Sequence, residues 1–330
     1  MNKLSTNINN SRITNFILRG RVIISLFVLI ILMFILGGII SKGFLSFRHM
    51  GIILRLASFL GIVSIGQTIV ILTGGIDLSV GPLITMGNLF ACMFIKGLDS
   101  NTLWALVVIV LIGAFFGFFS GLGIAYLRIS PLVMTMAVGS LVTGISLIFS
   151  QGAPKGFASP ILKYLSVEKL LNIFPVMILI WIVLSAFFIL LLNYSSFGRK
   201  IYYIGANEKV AFLSGIKTRL VKTLVYSMSG ATAAFTGALM AGYTETAFLG
   251  IGNAYLMWSI TAVVIGGTSL TGGSGSYLNT IAGSIIVVLL ESLLTVLRIP
   301  EAGRRIVNGA IILILVSIYY YSQKNKKYNI

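Results

Sequence analysis

Long apolar segments with few charged residues follow one another through almost the whole sequence, separated by short stretches rich in Lys, Arg, Gly or Pro. The hydrocarbon core of a bilayer is about 30 Å thick, so a helix that crosses it needs about 20 mostly apolar residues. Only 9% of the residues are charged and 57% are hydrophobic, which leaves too few polar side chains to cover a water-soluble domain of this size. The pattern predicts an all-α, polytopic integral membrane protein.

About ten transmembrane helices are predicted within a transmembrane domain over residues 22–322. A polar tail, residues 1–21, precedes this domain, and a second polar tail, residues 323–330, follows it. The first apolar segment is too long for the core of a signal peptide and is interpreted as a retained helix. The predicted spans are residues 22–40, 54–73, 79–95, 103–126, 132–149, 174–192, 223–243, 256–271, 278–297 and 306–322.

The positive charges indicate the orientation in the membrane. The net charge is +17, and cations concentrate in the N-terminal tail, between residues 199 and 222, and in the C-terminal tail. Cytoplasmic loops retain Lys and Arg, and anionic headgroups favour them there. We therefore expect both termini on the cytoplasmic side of the membrane. Cations at the ends of apolar segments do not form the basic stripe typical of a nucleic-acid-binding protein.

The sequence lacks the residues that several kinds of functional site require. Cys92 is the single cysteine and His49 the single histidine, placed in a turn over residues 47–50, so neither a disulfide, a metal site nor a histidine-based triad is expected. The sequence contains no G-x-x-x-x-G-K-[ST] motif for nucleotide phosphates. We expect no catalytic residues, no metal and no cofactor in this chain, and any ATP must be bound by a partner subunit.

The segment ILTGGIDLSVGP, residues 71–82, is expected to break a helix at membrane depth. Adjacent glycines lack side chains that would hold one backbone conformation, and unwound backbone is tolerated there only where protein or a water-filled cavity surrounds it. An acid is favoured at the start of a helix, so Asp77 is interpreted as an N-cap; a contact with solute or a gate is the alternative. The residues assigned to the helix breaks and the translocation pathway are Gln67, Thr73, Gly74, Gly75, Asp77, Ser79, Gly81, Gly266 and Gly267.

A short sequence motif occurs once in each half of the chain. Residues 74–81 and 266–273 share the form G-G-x-x-L-[ST]-x-G, each after an apolar segment. The match suggests a two-half internal repeat, as transporter folds often have, and it leaves open whether the halves are parallel or inverted.

The longest polar stretch between helices in the second half is the loop over residues 193–222. Its centre, residues 207–215, is predicted to form a short helix that Ser214 and Gly215 terminate. Such an amphipathic helix in a basic cytoplasmic loop either lies on lipid headgroups or docks on a soluble partner.

Two further acids and a set of glycines complete the candidates. Glu245 lies at a helix end, and Glu291 lies within an apolar segment; Glu291 either bonds Ser284, Ser292 or a neighbouring helix, or couples transport to protons. Small residues allow membrane helices to pack closely, and a set of that kind is Gly113, Gly117, Gly121 and Gly123.

Three segments together carry a family resemblance: GGIDLSVG (74–81), FGRKIYYIGANEKVAFLSGI (197–216) and AVVIGGTSLTGGSGS (262–276). In this combination and order the chain resembles the permeases of ribose-type bacterial sugar ABC importers, over most of its length. The resemblance implies that the 193–222 loop holds the coupling helix, which fits a groove on the ATPase subunit. The coupling residues implied are Gly205, Asn207, Glu208, Ser214 and Gly215. The family commonly has Glu-Ala-Ala at this place, whereas this chain has Glu208-Lys209-Val210.

The resemblance implies a permease subunit that forms the translocation path for a small sugar, ribose or a similar monosaccharide. Its expected partners are a second permease copy or a paralogue, a cytoplasmic ABC ATPase dimer, an extracytoplasmic sugar-binding protein and the lipid bilayer. Two alternatives stay open. One is an ion- or proton-coupled secondary transporter that uses Asp77 and Glu291; the other is the same importer class carrying a nucleoside or a sugar-derived signal.

Overall fold

A computed structural model describes residues 23–170 and 174–328, and most of these residues are helical. The predicted tail over residues 1–21 lies outside the described residues. A 3-10 turn, Lys42–Leu45, and a two-residue antiparallel pair, β1 (Lys169–Leu170) and β2 (Phe174–Pro175), are the non-α elements of this part. The helices are α1 Ile23–Ile40, α2 Phe47–Leu72, α3 Val80–Ile95, α4 Asp99–Ala125, α5 Pro131–Ser150, α6 Pro160–Val167, α7 Val176–Tyr194, α8 Ser196–Ala206, α9 Glu208–Leu213, α10 Thr218–Thr244, α11 Asn253–Ile265, α12 Tyr277–Val296 and α13 Glu301–Tyr328.

The prediction of an all-α polytopic membrane protein is confirmed. Seven helices of the described residues are long and apolar enough to cross a bilayer: α1, α2, α4, α5, α7, α10 and α12. Two more apolar helices, α3 and α11, are shorter than 18 residues. A count of ten spans therefore stays a prediction.

Helices α2 and α10 form the centre of the bundle. Every residue from Ala57 to Leu72 in α2 is buried, which is typical of a helix that is surrounded on all sides. Helix α10 packs most extensively against α4, α3 and α2. Helices α1, α4, α5 and α7 lie outside them and expose large apolar side chains such as Phe115 and Val183, as a lipid-facing surface requires.

Small residues form the seam between α4 and α10. A Cβ atom at Gly113 would overlap the Gly230 carbonyl oxygen, and one at Gly117 would overlap the carbonyl oxygen of Tyr226. At Gly121 it would lie 2.6 Å from the Thr223 Cα. The predicted packing role of these glycines is confirmed, because only residues without a side chain let the two backbones approach this closely. Gly123 instead faces the Met134 side chain of α5.

Helix α2 begins at Phe47, seven residues before the predicted start at residue 54. Ser46 caps it, since its Oγ accepts a hydrogen bond from the His49 N–H at 3.3 Å. Polar side chains in the first turns of α2 find partners on other elements. The His49 Nε2 lies 3.0 Å from the Ser292 Oγ, and the Arg55 guanidinium donates to the Val167 carbonyl. The predicted turn at residues 47–50 is therefore wrong.

Other helix boundaries also differ from the predicted ones, mainly at glycine pairs and in amphipathic segments. Helix α11 ends at Ile265 rather than 271, because the glycine pair that follows turns the chain. Within the predicted loop over residues 193–222, α9 confirms the short helix predicted over residues 207–215, whereas α8 was not predicted. The segment after α5 contains α6 and the strand pair, which were not predicted either. Helix α13 runs from Glu301 to Tyr328 and so includes part of the predicted C-terminal tail.

We expect Gly117→Leu to lower the melting temperature in detergent. The new side chain would overlap the backbone of α10, and overpacking of this kind costs about 1–3 kcal/mol. Loss of the monodisperse size-exclusion peak after heating measures the effect. Gly144→Leu in α5 is the matched control, because a Cβ there has no neighbour within 4 Å. Equal melting temperatures for the two variants would contradict a tight seam between α4 and α10.

Candidate functional site

The first helix break lies between α2 and α3. Helix α2 ends at Leu72, and Gly74 adopts φ +80°, a left-handed conformation that favours glycine. Asp77 is completely buried in the short segment before α3. Its Oδ1 accepts hydrogen bonds from the Ser79 N–H at 2.9 Å and the Ser79 Oγ at 2.6 Å, and its Oδ2 accepts one from the Ser229 Oγ at 2.7 Å. The break therefore joins the start of α3 to α10.

The interpretation of Asp77 as an N-cap is wrong. Helix α3 begins at Val80, and the cap position belongs to Ser79, whose side chain makes no capping hydrogen bond. Asp77 lies two residues earlier and braces the turn that leads into the helix. The sequence could not fix this offset, because an Asp two residues before the cap satisfies the same local preference for an acid near a helix start.

The second helix break lies between α11 and α12. Helix α11 ends at Ile265 with Gly266 at the cap, and Gly267 adopts φ +76°. A left-handed glycine thus follows each of the two helices, but the positions differ by one residue in the shared motif. The second segment is also longer, since α12 begins only at Tyr277. Local geometry is similar at the two breaks, and an internal repeat stays a prediction.

The two breaks meet beneath α8, at a contact that we call the glycine junction: Leu72, Gly74, Gly205, Gly272 and Gly273. The Gly273 N–H donates a hydrogen bond to the Leu72 carbonyl at 3.0 Å. A Cβ at Gly205 would overlap that same carbonyl oxygen, and one at Gly272 would lie 2.8 Å from the Gly74 nitrogen. The backbones of three distant segments are therefore in direct contact here.

Helices α8 and α9 form the outer side of this contact. Ser195 caps α8 by accepting from the Gly198 N–H at 2.9 Å, and Asn207 caps α9 by accepting from the Val210 N–H at 3.1 Å. The predicted stop is confirmed, since Ser214 follows the last residue of α9 and Gly215 adopts φ +81°. A groove of about 520 Å³ lies between the two helices.

The exposed face of α9 is apolar although the surrounding loop is polar. Phe212 is 62% exposed and Leu213 is 75% exposed. Beside them the Glu208 carboxylate pairs with the Lys222 Nζ at 2.5 Å. Sequence reasoning missed Phe212 and the partner Lys222. A large apolar residue in a charged loop was the available signal for Phe212, because exposed apolar clusters mark interaction sites.

The remaining predicted pathway residues lie at the first helix break or at close contacts between helices. Thr73 belongs to the first break, where its Oγ1 donates to the Val70 carbonyl at 2.8 Å. Gly81 and Gly266 let backbones approach, since a Cβ would lie 3.0 Å from the Gly252 oxygen and 2.8 Å from the Thr280 nitrogen, respectively. A Cβ at Gly75 would overlap the Tyr226 hydroxyl, so this position is also a packing site.

Gln67 occupies the interior of α2. It is fully buried, and within the described part of the chain both polar atoms of its amide lack a hydrogen-bond partner. Leaving a buried polar group unpaired costs about 1–3 kcal/mol, so such a group in a native protein calls for a functional or structural reason.

The described residues contain no group of three or more His, Cys, Asp or Glu side chains placed to hold a metal ion.

The opposite end of the bundle is covered by α6 and the turn after α10. The Lys163 Nζ pairs with the Glu245 carboxylate at 2.7 Å, and this hydrogen bond and the charge of Glu245 raise the pKa of Lys163. Asp99 accepts from the Ile161 N–H at 2.8 Å. These contacts give the segment between α5 and α7 a defined shape at this end.

We expect Gly205→Ala to loosen α8 from the two breaks. The methyl group would overlap the Leu72 carbonyl oxygen, which we expect to cost about 1–3 kcal/mol and to make the basic segment between residues 199 and 222 more accessible to trypsin. Limited proteolysis of the purified protein measures this. Gly51→Ala is the control, because a Cβ at that position has no neighbour within 4 Å. Unchanged cleavage in Gly205→Ala would show that the junction is not tight.

Comparison with known proteins places the chain in a family. The family model described as "Branched-chain amino acid transport system / permease component" matches residues 49–316. The ribose import permease protein RbsC of Bacillus subtilis (strain 168) is 34% identical over 295 residues, which cover 89% of this chain and 90% of that protein. RbsC of Escherichia coli (strain K12) is 31% identical over 299 residues, with 89% and 92% covered.

A third relative carries a different printed name. The autoinducer 2 import system permease protein LsrC of Shigella flexneri is 32% identical over 288 residues, which cover 86% of this chain and 82% of that protein. Comparison with solved structures gave no significant match. The family match spans most of the chain, including both helix breaks and the α8–α9 segment. This multi-pass membrane protein therefore belongs to the family of branched-chain amino acid transport system permease components. Members of this family are membrane transport components and not enzymes.

Proposed function

We propose that this chain is the membrane-spanning permease subunit of an ATP-driven ABC importer for a small sugar. Two relatives named as ribose import permeases match about nine tenths of the chain at 31–34% identity. The sugar is ribose or a similar monosaccharide, delivered by an extracytoplasmic binding protein. ATP is bound by the partner ATPase, and this chain supplies the path through the bacterial inner membrane.

The observation that carries the proposal is the apolar face of α9. Phe212 and Leu213 are exposed at the tip of a basic segment, on a helix whose two ends are capped. A short, rigid, apolar projection of this kind suits a groove on a soluble partner. We assign it as the surface that an ATPase dimer contacts, with Gly205, Asn207, Glu208, Ser214 and Gly215 holding its shape.

The glycine junction supports a mechanical role for this surface. Helix α8 carries α9 at one end and contacts the ends of both helix breaks through Gly205. The Tyr202 Oη also donates to the Gly275 carbonyl at 3.1 Å. Displacement of α9 by the ATPase would move the two breaks together, and through the Asp77–Ser229 hydrogen bond it would reach α10. Such a device biases the bundle between two packings, which is how a partner drives alternating access.

The same proposal assigns the two faces of the molecule. The α8–α9 face and both termini lie in the cytoplasm, in keeping with the cations between residues 199 and 222. The opposite face, with α6 and the Lys163–Glu245 ion pair, receives the binding protein. A second permease copy or a paralogue completes the pathway. Gln67, whose amide has no hydrogen-bond partner among the described residues, belongs to the part that opens.

Two alternatives to this function make different predictions, one about the transported solute and one about the energy source. A sugar-derived signal instead of ribose is favoured by the relative named as an autoinducer 2 import permease. An ion-coupled transporter would use Asp77 and Glu291 as carriers; the hydrogen bonds that Asp77 accepts from Ser79 and Ser229 favour a bracing role for that acid.

Uptake into proteoliposomes tests the proposal directly. We expect ribose uptake only when this chain is combined with its cognate ATPase and binding protein and ATP is present. A panel that includes other pentoses, a nucleoside and autoinducer 2 identifies the solute. Uptake by this chain alone, driven by a proton or sodium gradient, would overturn the proposal in favour of a secondary transporter.

We expect Phe212→Ser to abolish most of the ATP-driven uptake and to weaken co-purification of the ATPase. The change removes a large apolar anchor from the docking face, and interface anchors typically contribute about 2 kcal/mol or more. Phe47→Ser is the matched control, because Phe47 is 92% exposed at the far end of α2. Normal ATPase binding by Phe212→Ser would move the docking surface elsewhere.

A further inference from the structure

A cavity of about 360 Å³ lies between the starts of α11 and α13 and the end of α12. It is separate from the helix breaks and from the α8–α9 groove. By the topology proposed above, it opens toward the extracytoplasmic side. Its polar wall is formed by Asn253, Trp258, Glu291, Glu301, Arg304 and Asn308.

Glu291 is the central group of this wall. Its side chain is only 13% exposed. The Oε1 accepts hydrogen bonds from the Trp258 indole N–H at 3.2 Å and from the Asn308 amide at 2.5 Å, and the Oε2 lies 3.6 Å from the Arg304 guanidinium. These partners come from α11 and α13, so Glu291 holds three helices together around the cavity. The predicted contact with a neighbouring helix is confirmed, and the predicted partners Ser284 and Ser292 are wrong.

The network around Glu291 is incomplete. Asn308 is 7% exposed, and its Oδ1 is buried without a hydrogen-bond partner in the described part of the chain. The Arg304 Nε is likewise buried and unpaired. Both atoms belong to side chains that line the cavity beside the Glu291 carboxylate. Buried polar groups are nearly always satisfied in native proteins, so these two atoms point to a ligand.

The lining selects a class of ligand by its charge and shape. Two acids, Glu291 and Glu301, face two cations, Arg304 and Arg305, so a net charge on the ligand is not favoured. Carboxylate, guanidinium and amide groups offer both acceptors and donors, as an array of hydroxyl groups needs. Trp258 supplies a flat apolar surface at the same place, and such sites combine apolar lining with a few fixed polar groups.

We propose that this cavity is an entry subsite for a neutral, polyhydroxylated solute of monosaccharide size, which it binds before the solute reaches the central helices. The inference rests on the function proposed above and adds a named subsite to it. In this subsite Glu291 and the Asn308 Oδ1 accept from solute hydroxyl groups, and Arg304 donates to them. Trp258 packs against the apolar face of the ring.

A cysteine placed in the cavity tests the proposal. Ala254 lines it and is exposed, and Cys92 is the only cysteine and is buried, so Ala254→Cys in a Cys92→Ala background gives one reactive thiol. The complete importer in lipid nanodiscs is labelled with a charged thiol reagent. We expect millimolar ribose to slow labelling and the zwitterion glycine betaine to leave it unchanged.

Substitutions of two charged residues identify the group responsible. Glu291→Gln removes a charge-assisted hydrogen bond, so we expect the ribose concentration for half-protection to rise about tenfold. Lys42→Gln is the control, because Lys42 lies exposed in the turn before α2, at the same end of the bundle, and does not line the cavity. We expect it to leave ribose protection unchanged. Equal shifts in the two variants would overturn the assignment of Glu291.

The outcomes separate this inference from the proposed function. Uptake of ribose by the wild-type importer without ribose protection of Ala254→Cys would overturn the subsite alone. Protection without any ATP-dependent uptake would support the subsite and overturn the proposed function. Labelling that is slow in nanodiscs, fast in detergent and indifferent to ribose would show a lipid headgroup in the cavity and would also overturn the subsite.

Discussion

The hydrogen bond from the Gly273 N–H to the Leu72 carbonyl fixes the arrangement on which the candidate site depends. A helix that ends within a membrane protein leaves carbonyl groups without intrahelical partners, and lipid offers no water to satisfy them. The loop after α11 satisfies one of these carbonyls, so the two helix breaks must lie side by side. Helix α8 then reaches both of them, and position 205 has room for no side chain.

Contacts of this kind transmit motion because they involve the backbone. A side chain at the junction could change rotamer and absorb a displacement, whereas backbone atoms in van der Waals contact move together. From the first break the path continues through Asp77 to Ser229 on α10, which packs against α2, α3 and α4. A displacement on the α8–α9 face thus reaches the centre of the bundle through a continuous chain of contacts, whose energetic coupling is part of the proposal.

Local features were predictable from the sequence, and contacts between distant segments were not. Apolar length placed most of the helices, and glycine pairs placed both breaks. Helix α8 was missed because its charges resemble a loop until its buried positions, Ile201 and Ile204, are known. The meeting of Gly74, Gly205 and Gly273 depends on how three helices are oriented, and hydrophobic periodicity carries no information about that orientation. The contacts of Glu291 with Trp258 and Asn308 also depend on the relative orientation of helices, so the sequence did not predict them.

The acids Asp77 and Glu291 differ in what surrounds them, and this difference argues for different roles. Asp77 accepts three hydrogen bonds from Ser79 and Ser229, so its carboxylate holds the chain in place. Glu291 borders a cavity, and its neighbours Asn308 and Arg304 each have a polar atom without a partner in the described part of the chain. A carboxylate whose partners all come from the chain stabilises the fold, whereas one that borders a cavity is also placed to bind a ligand.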